Sequence, residues 1–251
     1  MISKQRISDI RKLHQKKFRD AERRFVVEGR KSVEMLLASD FVVEEVLTTE
    51  AFHAQYPELF QGQAVTFGSP TDLERISCMS TPPEVMAIAR QKRPTPPSPN
   101  GGQPLLVLDR ISDPGNLGTI IRTADWFNIQ HIVCSPDCVE FYNPKTIQAT
   151  MGSFCFVEIS YLPLVPFLQE ASKTRRILGT FMDGQPLASI VPQPDDILVI
   201  GNESNGITPE VAALVTERIT ITKVHPGRPS AESLNAAIAA GITMSHFWGN
   251  P

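Results

Sequence analysis

Residues 105–128 read LLVLDRISDPGNLGTIIRTADWFN. The run Leu105 to Leu108 is uniformly apolar, the pattern of a buried strand. Asp109-Arg110 ends the run, and Ser112-Asp113-Pro114-Gly115 punctuates a polar turn. From near Asn116 a helix pattern begins, with Ile120, Ile121, Ala124 and Phe127 at roughly helical spacing. Strand, loop and helix in this order set a functional loop at the carboxyl end of a parallel strand. Inside it lies Asn116-x-Gly118-x-x-x-Arg122, with Asn116 and Gly118 opening the helix and Arg122 up to two turns in. An Asn, a glycine that permits close approach and an Arg around one loop can hold a polar, anionic ligand.

The same alternation continues to the end of the chain. Strands are expected over 131–134, 154–159, 176–182, 196–200 and 219–222. Helices are expected over 144–150 and 164–172 (interrupted by Pro166), from Thr208-Pro209-Glu210 with Thr208 as N-cap, and over 233–247. This implies an α/β fold with a parallel sheet covered on both faces. Upstream, QKRPTPPSPNGGQP (91–104) packs five prolines and two glycines into fourteen residues and reads as a linker. The expected domains are therefore 1–93, a Pro-rich linker over 94–104, and 105–251. The first is a smaller α/β unit: a basic helix over 4–19, a strand over 25–29, a helix over 31–38, a strand over 42–48, a short helix over 53–60, a strand over 64–67, a helix over 71–77 capped by Thr71, and a strand over 85–89.

The net charge of −3 would not by itself suggest nucleic acid. Its distribution says more: residues 1–31 carry +7 and the remainder −10. A basic arm on an acidic body can attract phosphate locally, although a solvated helix face has the same composition. The four cysteines, at 78, 134, 138 and 155, form no Cys-x-x-Cys pair, and no His pair has zinc spacing, so no metal ligand set is expected. Buried thiols in a reducing compartment fit them. The basic amino terminus leads into no apolar signal segment, and no stretch approaches the ~20 apolar residues of a membrane helix. A cytoplasmic location is expected.

Two further loops follow a strand and precede a helix: Gly201-Asn202-Glu203-Ser204-Asn205-Gly206-Ile207, and Glu232-Ser233-Leu234-Asn235. Taken singly, each has a purely structural reading. Gly201 and Gly206 could serve a turn, Glu203 could sit at a helix start, and Asn235 could cap a helix. Together with the first loop they resemble the three motifs of the SpoU-type (TrmH-like) branch of the SPOUT RNA methyltransferases. These are Asn-x-Gly-x-x-x-Arg (Asn116, Gly118, Arg122), Gly-x-Glu-x-x-Gly-Ile (Gly201, Glu203, Gly206, Ile207), and a strand followed by Ser-Leu-Asn (219–221, then Ser233, Leu234, Asn235). The first ninety residues look like the family's RNA-binding substrate domain.

The resemblance implies a SPOUT domain with a deep trefoil knot, a homodimer through that knot, and S-adenosyl-L-methionine as cofactor. It implies methyl transfer to a ribose 2′-hydroxyl of RNA, ribosomal RNA before transfer RNA. Gly201, Ile221 and Leu234, with Thr180, Gly206 and Ile207, would line the cofactor site. Arg122 would be the catalytic Arg, with Asn116, Glu203 and Asn235 orienting nucleotide and loops. Lys4, Arg6, Arg11, Lys12, Lys16, Lys17 and Arg19 would contact RNA. Three departures stand out: Thr222 replaces the family's usual Pro after Ile221, the segment 223–232 is longer than the short turn of many members, and Ala236-Ala237 stands where Val-Ser is common. An RNA-binding protein of the same descent that no longer methylates is the alternative. A nicotinamide-dependent dehydrogenase lacks its glycine fingerprint here. Neutralising Lys12, Lys16 and Lys17 to Gln should weaken RNA binding and flatten its log–log salt dependence by about 2. Filter-binding titrations at several salt concentrations would read this, and an unchanged affinity would remove these lysines from the interface.

Overall fold

The computed structural model describes residues 2–224 and 231–249. In chain order its elements are α1 Lys4–Lys12, α2 Lys16–Glu22, β1 Arg24–Glu28, α3 Arg30–Leu37, β2 Val43–Thr48, α4 Glu50–Gln55, β3 Val65–Phe67, α5 Pro70–Ile76, β4 Val85–Arg90, β5 Leu105–Leu108, α6 Pro114–Trp126, β6 His131–Cys134, α7 Pro144–Thr150, β7 Glu158–Tyr161, α8 Leu164–Ala171, β8 Ile177–Pro186, β9 Ile197–Ile200, α9 Pro209–Ala212, β10 Glu217–Thr220 and α10 Ala236–Trp248. They fall into two units. One runs from the amino terminus to Arg93 and includes Glu140–Phe156; the other holds Pro94–Val139 and the chain from Val157 onward.

The first unit is built on a four-stranded sheet in the order β1-β4-β2-β3. β4 runs antiparallel to both β1 and β2, and β2 pairs in parallel with β3. Ile7 and Ile10 on α1, with Leu13 just beyond it, meet Val26, Leu47, Leu73, Ile76, Met86 and Ile88 in one apolar core. The basic helix expected over 4–19 is two helices. α1 ends at Lys12 with Leu13 as its C-cap, and Gln15 is extended (φ −101°, ψ 130°) before α2. The break turns Arg19 inward, and this corrects its expected place on an RNA-facing arm. Arg19 is only 2% exposed. Its Nε and Nη2 donate to the two oxygens of Glu140 at 3.1 and 2.6 Å, and its Nη1 to the Leu13 carbonyl at 2.8 Å.

Glu140 belongs to a segment that sequence order assigned to the second domain, but residues 140–156 pack with the first unit. The aromatic ring of Phe154 stands edge-on to Phe25 and Phe41, at 5.9 and 5.8 Å. The strand expected over 154–159 is therefore a 3₁₀ turn at Ser153–Cys155 followed by β7. Similarly, the helix expected over 53–60 is α4, capped by Thr49, and a 3₁₀ turn at Pro57–Phe60. α5 is capped by Ser69 rather than Thr71: Ser69 and Asp72 form a capping box. The Ser69 amide and hydroxyl hold the Asp72 carboxyl below its ordinary range. Pro166 does not interrupt α8, because it lies in the first turn, where no intrahelical donor is needed.

The second unit has a six-stranded sheet in the order β10-β8-β9-β5-β6-β7. Every pairing in it is parallel. β5 and β9 lie side by side near its centre, with Leu108 opposite Ile200. Both are covered on both faces, and each of their side chains is at most 2% exposed, which is why they read as unbroken apolar runs. From β5 the chain moves to β6, while β9 leads past β8 to β10 on the other side. The carboxyl ends of β5 and β9 thus flank the point where the winding reverses, the position at which open α/β sheets leave a crevice. β8 continues to Pro186, past Asp183-Gly184, where closure was expected, and β10 lies two residues before the expected strand. Arg175 ties the Pro-rich segment to this unit by donating to the carbonyls of Pro99, Gln103 and Asp195.

Among the described residues no helix is long and apolar enough to cross a membrane. Arg19→Ala should lower the unfolding free energy of the first unit by about 3 kcal/mol, because it strands a partly buried carboxylate. Chemical denaturation followed by far-ultraviolet circular dichroism would measure it; Glu140→Gln should cost at least as much, because it leaves the more deeply buried Arg19 guanidinium without its counter-charge.

Candidate functional site

The site begins with the ends of two neighbouring strands. After β5 the carboxylate of Asp109, 2% exposed, accepts from both the amide and the hydroxyl of Thr208, each at 2.7 Å. This joins the end of β5 to the start of α9, which Thr208 precedes. Arg110 follows in the left-handed conformation (φ 60°), a setting that costs a non-glycine residue of order 1–3 kcal/mol. Both its backbone groups are claimed: its amide donates to Ser135 Oγ at 2.9 Å, and its carbonyl accepts from Asn202 Nδ2 at 2.9 Å. One residue on, the Ile111 amide donates to Cys138 Sγ at 3.3 Å. The Cys138 thiol is lowered to about 7, chiefly by its hydrogen bond with Cys134 and also by Ser135 and the Ile111 amide. The wholly buried Cys134 thiol is pushed up by desolvation.

The loop after β9 is a tight hairpin. Asn202 and Gly206 exchange both backbone hydrogen bonds, at 3.0 and 2.9 Å, and Asn202 Oδ1 accepts from the amides of Ser204 and Asn205. Gly206 has φ +65°, and a Cβ on Gly201 would come within 2.3 Å of the Gly206 carbonyl carbon and the Ile207 nitrogen. Both glycines are therefore demanded by the backbone.

The three loops meet through side chains. Asp113 caps α6 by accepting from the Asn116 amide at 2.8 Å, which sets Asn116 in the first turn. Its Nδ2 donates to Glu203 Oε1. Its Oδ1 accepts from Asn235 Nδ2 at 2.9 Å. Asn235 in turn caps α10, its Oδ1 accepting from the Ala237 and Ile238 amides. Asn235–Asn116–Glu203 is thus one continuous relay across residues more than eighty positions apart in the chain. The capping reading of Asn235 and its place in the cluster are both true, because an amide side chain has an acceptor for the helix and donors to spare.

Arg122 is not in this relay. It is exposed on α6, one turn before Trp126, and among the described residues it has no hydrogen bond or ion pair. Ile207 is buried in the apolar core with Val107, Val199 and Val211. Thr180 is half-buried on β8, its hydroxyl donating to the Val199 carbonyl at 3.3 Å. Leu234 is 44% exposed, and Ile221 is half-buried just past β10. Ile221 and Thr222 line a cleft of about 480 Å³ with Leu187, Ile242, Ser245 and His246; Gly201, Thr180 and Leu234 do not line it. Of the long third loop, residues 225–230 lie outside the described residues. Lys4, Arg11, Lys16 and Lys17 are exposed. Arg6 pairs with Glu45, and Lys12 with Asp9 at 2.8 Å.

Sequence reading missed Asp109, Asn202 and Ser135. Asp109 carries a signal, an acid directly after an unbroken apolar strand. Asn202 and Ser135 carry none, because their partners are backbone groups far away in the chain.

Comparison with known proteins identifies the family. Residues 103–245 match the SpoU rRNA methylase family, and residues 4–87 match the MRM3-like substrate binding domain. The 23S rRNA (guanosine(2553)-2′-O)-methyltransferase RlmP of Bacillus subtilis is 29% identical over 98% of this chain and 96% of its own length. A Porphyromonas gingivalis protein assigned to the TrmH family of RNA methyltransferases superposes with a TM-score of 0.84 at 34% identity, covering 100% of both chains. The AdoMet-bound rRNA methyltransferase of Sinorhizobium meliloti gives 0.83 at 29% identity, covering 98% of this chain and 95% of that one. The fold and site define an RNA methyltransferase of the TrmH-like type. The chain belongs to the SpoU rRNA methylase family.

Asp109→Ala should lower unfolding free energy by about 3 kcal/mol, since it leaves the Thr208 amide and hydroxyl without their acceptor. Thr208→Val should cost less, about 1 kcal/mol. Urea titrations with unchanged slope would establish both.

Proposed function

We propose that this protein transfers the methyl group of S-adenosyl-L-methionine to a ribose 2′-hydroxyl of ribosomal RNA, acting in the cytoplasm as a homodimer. The observation that carries the reading is the Asn235–Asn116–Glu203 relay, which joins all three motif loops at the carboxyl ends of β5 and β9. Ribosomal RNA is favoured over transfer RNA by the names of the matched family and of the Bacillus subtilis relative, and by the substrate-domain match over 4–87.

The residues suit the cofactor. A sulfonium with an adenine and no phosphate needs close backbone and apolar walls rather than a phosphate cradle. The Gly201–Gly206 hairpin offers bare backbone, and Ile221 and Leu234 offer accessible apolar surface. Bound there, the cofactor supplies an electrophilic methyl group. The remaining work belongs to the chain. The Arg122 guanidinium, charged at every working pH, grips the phosphate beside the acceptor ribose in bidentate fashion. The relay holds the three loops in one geometry, so that hydroxyl and methyl meet in line. The ribose oxygen would take up the cofactor's methyl group, and the hydroxyl proton would pass to solvent.

Dimer formation is supported by apolar surface on adjoining helices. Trp126 at the end of α6 is 84% exposed, and Ile238 and Ile242 lie exposed one turn apart on α10, with exposed Leu234 just before the helix. Since Arg122 lies one turn from Trp126, the same face would carry it to a site shared between subunits. The same reading gives the carboxyl-terminal part a deep trefoil knot with the cofactor seated in it. The buried thiols Cys134, Cys138 and Cys155, none of them in a disulfide, suit a reducing cytoplasm.

Calorimetric titration with S-adenosyl-L-methionine should show binding by wild type and none by Gly201→Trp. Arg122→Ala should bind the cofactor normally and lose at least ~100-fold in methyl transfer to ribosomal RNA fragments. Absence of cofactor binding by folded wild type would leave the non-catalytic RNA-binding reading, and full activity of Arg122→Ala would remove that residue from the mechanism.

A further inference from the structure

Three chain ends in the first unit converge on one point. α1 finishes at Lys12, two residues before His14, β1 finishes at Glu28, and α5 finishes at Ile76, two residues before Cys78. One ligand-capable atom from each of His14, Glu28 and Cys78 lies within 4.8 Å of the other two. None of the three has a part in the methyl-transfer site.

The imidazole is set for ligation. His14 Nε2 is 2.6 Å from the Ile76 carbonyl, which can only accept, so Nε2 carries the proton. Nδ1 is then left with its lone pair. That atom is buried and has no hydrogen-bond partner among the described residues, a costly state for a polar atom. A ligating histidine fixed by a backbone carbonyl on its other nitrogen is the usual outer-shell arrangement of a metal centre. The carboxylate is likewise held in place. Glu28 accepts from the Ser77 hydroxyl and, at 3.0 Å, from the Cys78 amide. Two such bonds leave lone pairs free. The Cys78 side chain is exposed to a cleft of about 560 Å³ that His14, Ser77, Lys4, Arg11 and Lys12 also line.

We propose that His14 Nδ1, a Glu28 carboxylate oxygen and Cys78 Sγ bind one zinc ion, with water from the cleft in the fourth position. Imidazole, carboxylate and thiolate together are a zinc donor set. Tetrahedral bonds of about 2.0–2.3 Å put ligand atoms roughly 3.5 Å apart, a span that side-chain rotation reaches from the present one. Binding breaks the Cys78 S–H bond, releases its proton to solvent and forms the zinc–sulfur bond. One thiolate, one carboxylate and a neutral imidazole bring the divalent ion to zero net charge, so Lys4, Arg11 and Lys12 face no cation. The ion staples the α1–α2 turn to the end of β1 and to the segment after α5.

The test uses the full chain, stripped of metal and titrated with cobalt(II). The near-ultraviolet sulfur-to-cobalt charge-transfer band should grow to one equivalent, be bleached by zinc, and be lost in Cys78→Ser. It should persist in Cys138→Ser, which controls for the other thiols. His14→Gln should weaken cobalt binding at least tenfold, and zinc should raise the unfolding temperature of wild type but of neither ligand variant. A folded wild-type protein without the band, or a band that survives in Cys78→Ser, would overturn the site.

Discussion

The structure of the second unit depends on the parallel pairing of β5 with β9. These strands are about ninety residues apart in sequence, yet Leu105–Leu108 and Ile197–Ile200 pair residue for residue. That pairing sets Asp109 beside the start of α9 and Arg110 beside Asn202. It also brings the Gly201–Gly206 hairpin within reach of Asn116. None of these contacts is local, and the bonds to the buried Asp109 carboxylate are costly to leave unmet. The apolar strands supply the driving force, and the polar bonds at their ends select one arrangement of the loops.

That division of labour accounts for the chemistry of the site. The relay contains two amides and one carboxylate, and Glu203 accepts from Asn116 through one of its oxygens. Such a cluster is good at holding geometry. Arg122, by contrast, is exposed and uncommitted, as a residue must be if its task is to meet a phosphate. Rigid relay and free guanidinium are complementary in the proposed reaction: the first would keep the loops fixed, and the second would reach the substrate.

How much was legible follows from the range of each interaction. The strand and loop of 105–118, the glycine pair of the second loop and the closing helix are coded by neighbours in sequence, and they stand where periodicity set them, within a few residues. The failures share one cause. Arg19 looked like one more cation on a basic helix, and only Glu140, 121 positions away, explains why it is buried. The segment 140–156 looked like a continuation of the second domain, but Phe154 is held by Phe25 and Phe41. Thr71 and Ser69 are both acceptable caps by composition, and the choice fell to Ser69 because Asp72 closes a capping box with it.

The amino-acid sequence by itself determined most of the element types, the all-parallel character of the second sheet and the three motif loops, because these rest on apolar periodicity and on glycine and asparagine at fixed spacing. Only the tertiary structure decided which strands are neighbours, which unit residues 140–156 join, and that Asn235, Asn116 and Glu203 form a single relay. It also decided that His14, Glu28 and Cys78 share one corner. The physical reason is the same in each case: long-range pairing energies come from apolar burial, which is blind to residue number, whereas pattern in a sequence reports only what neighbours along the chain require.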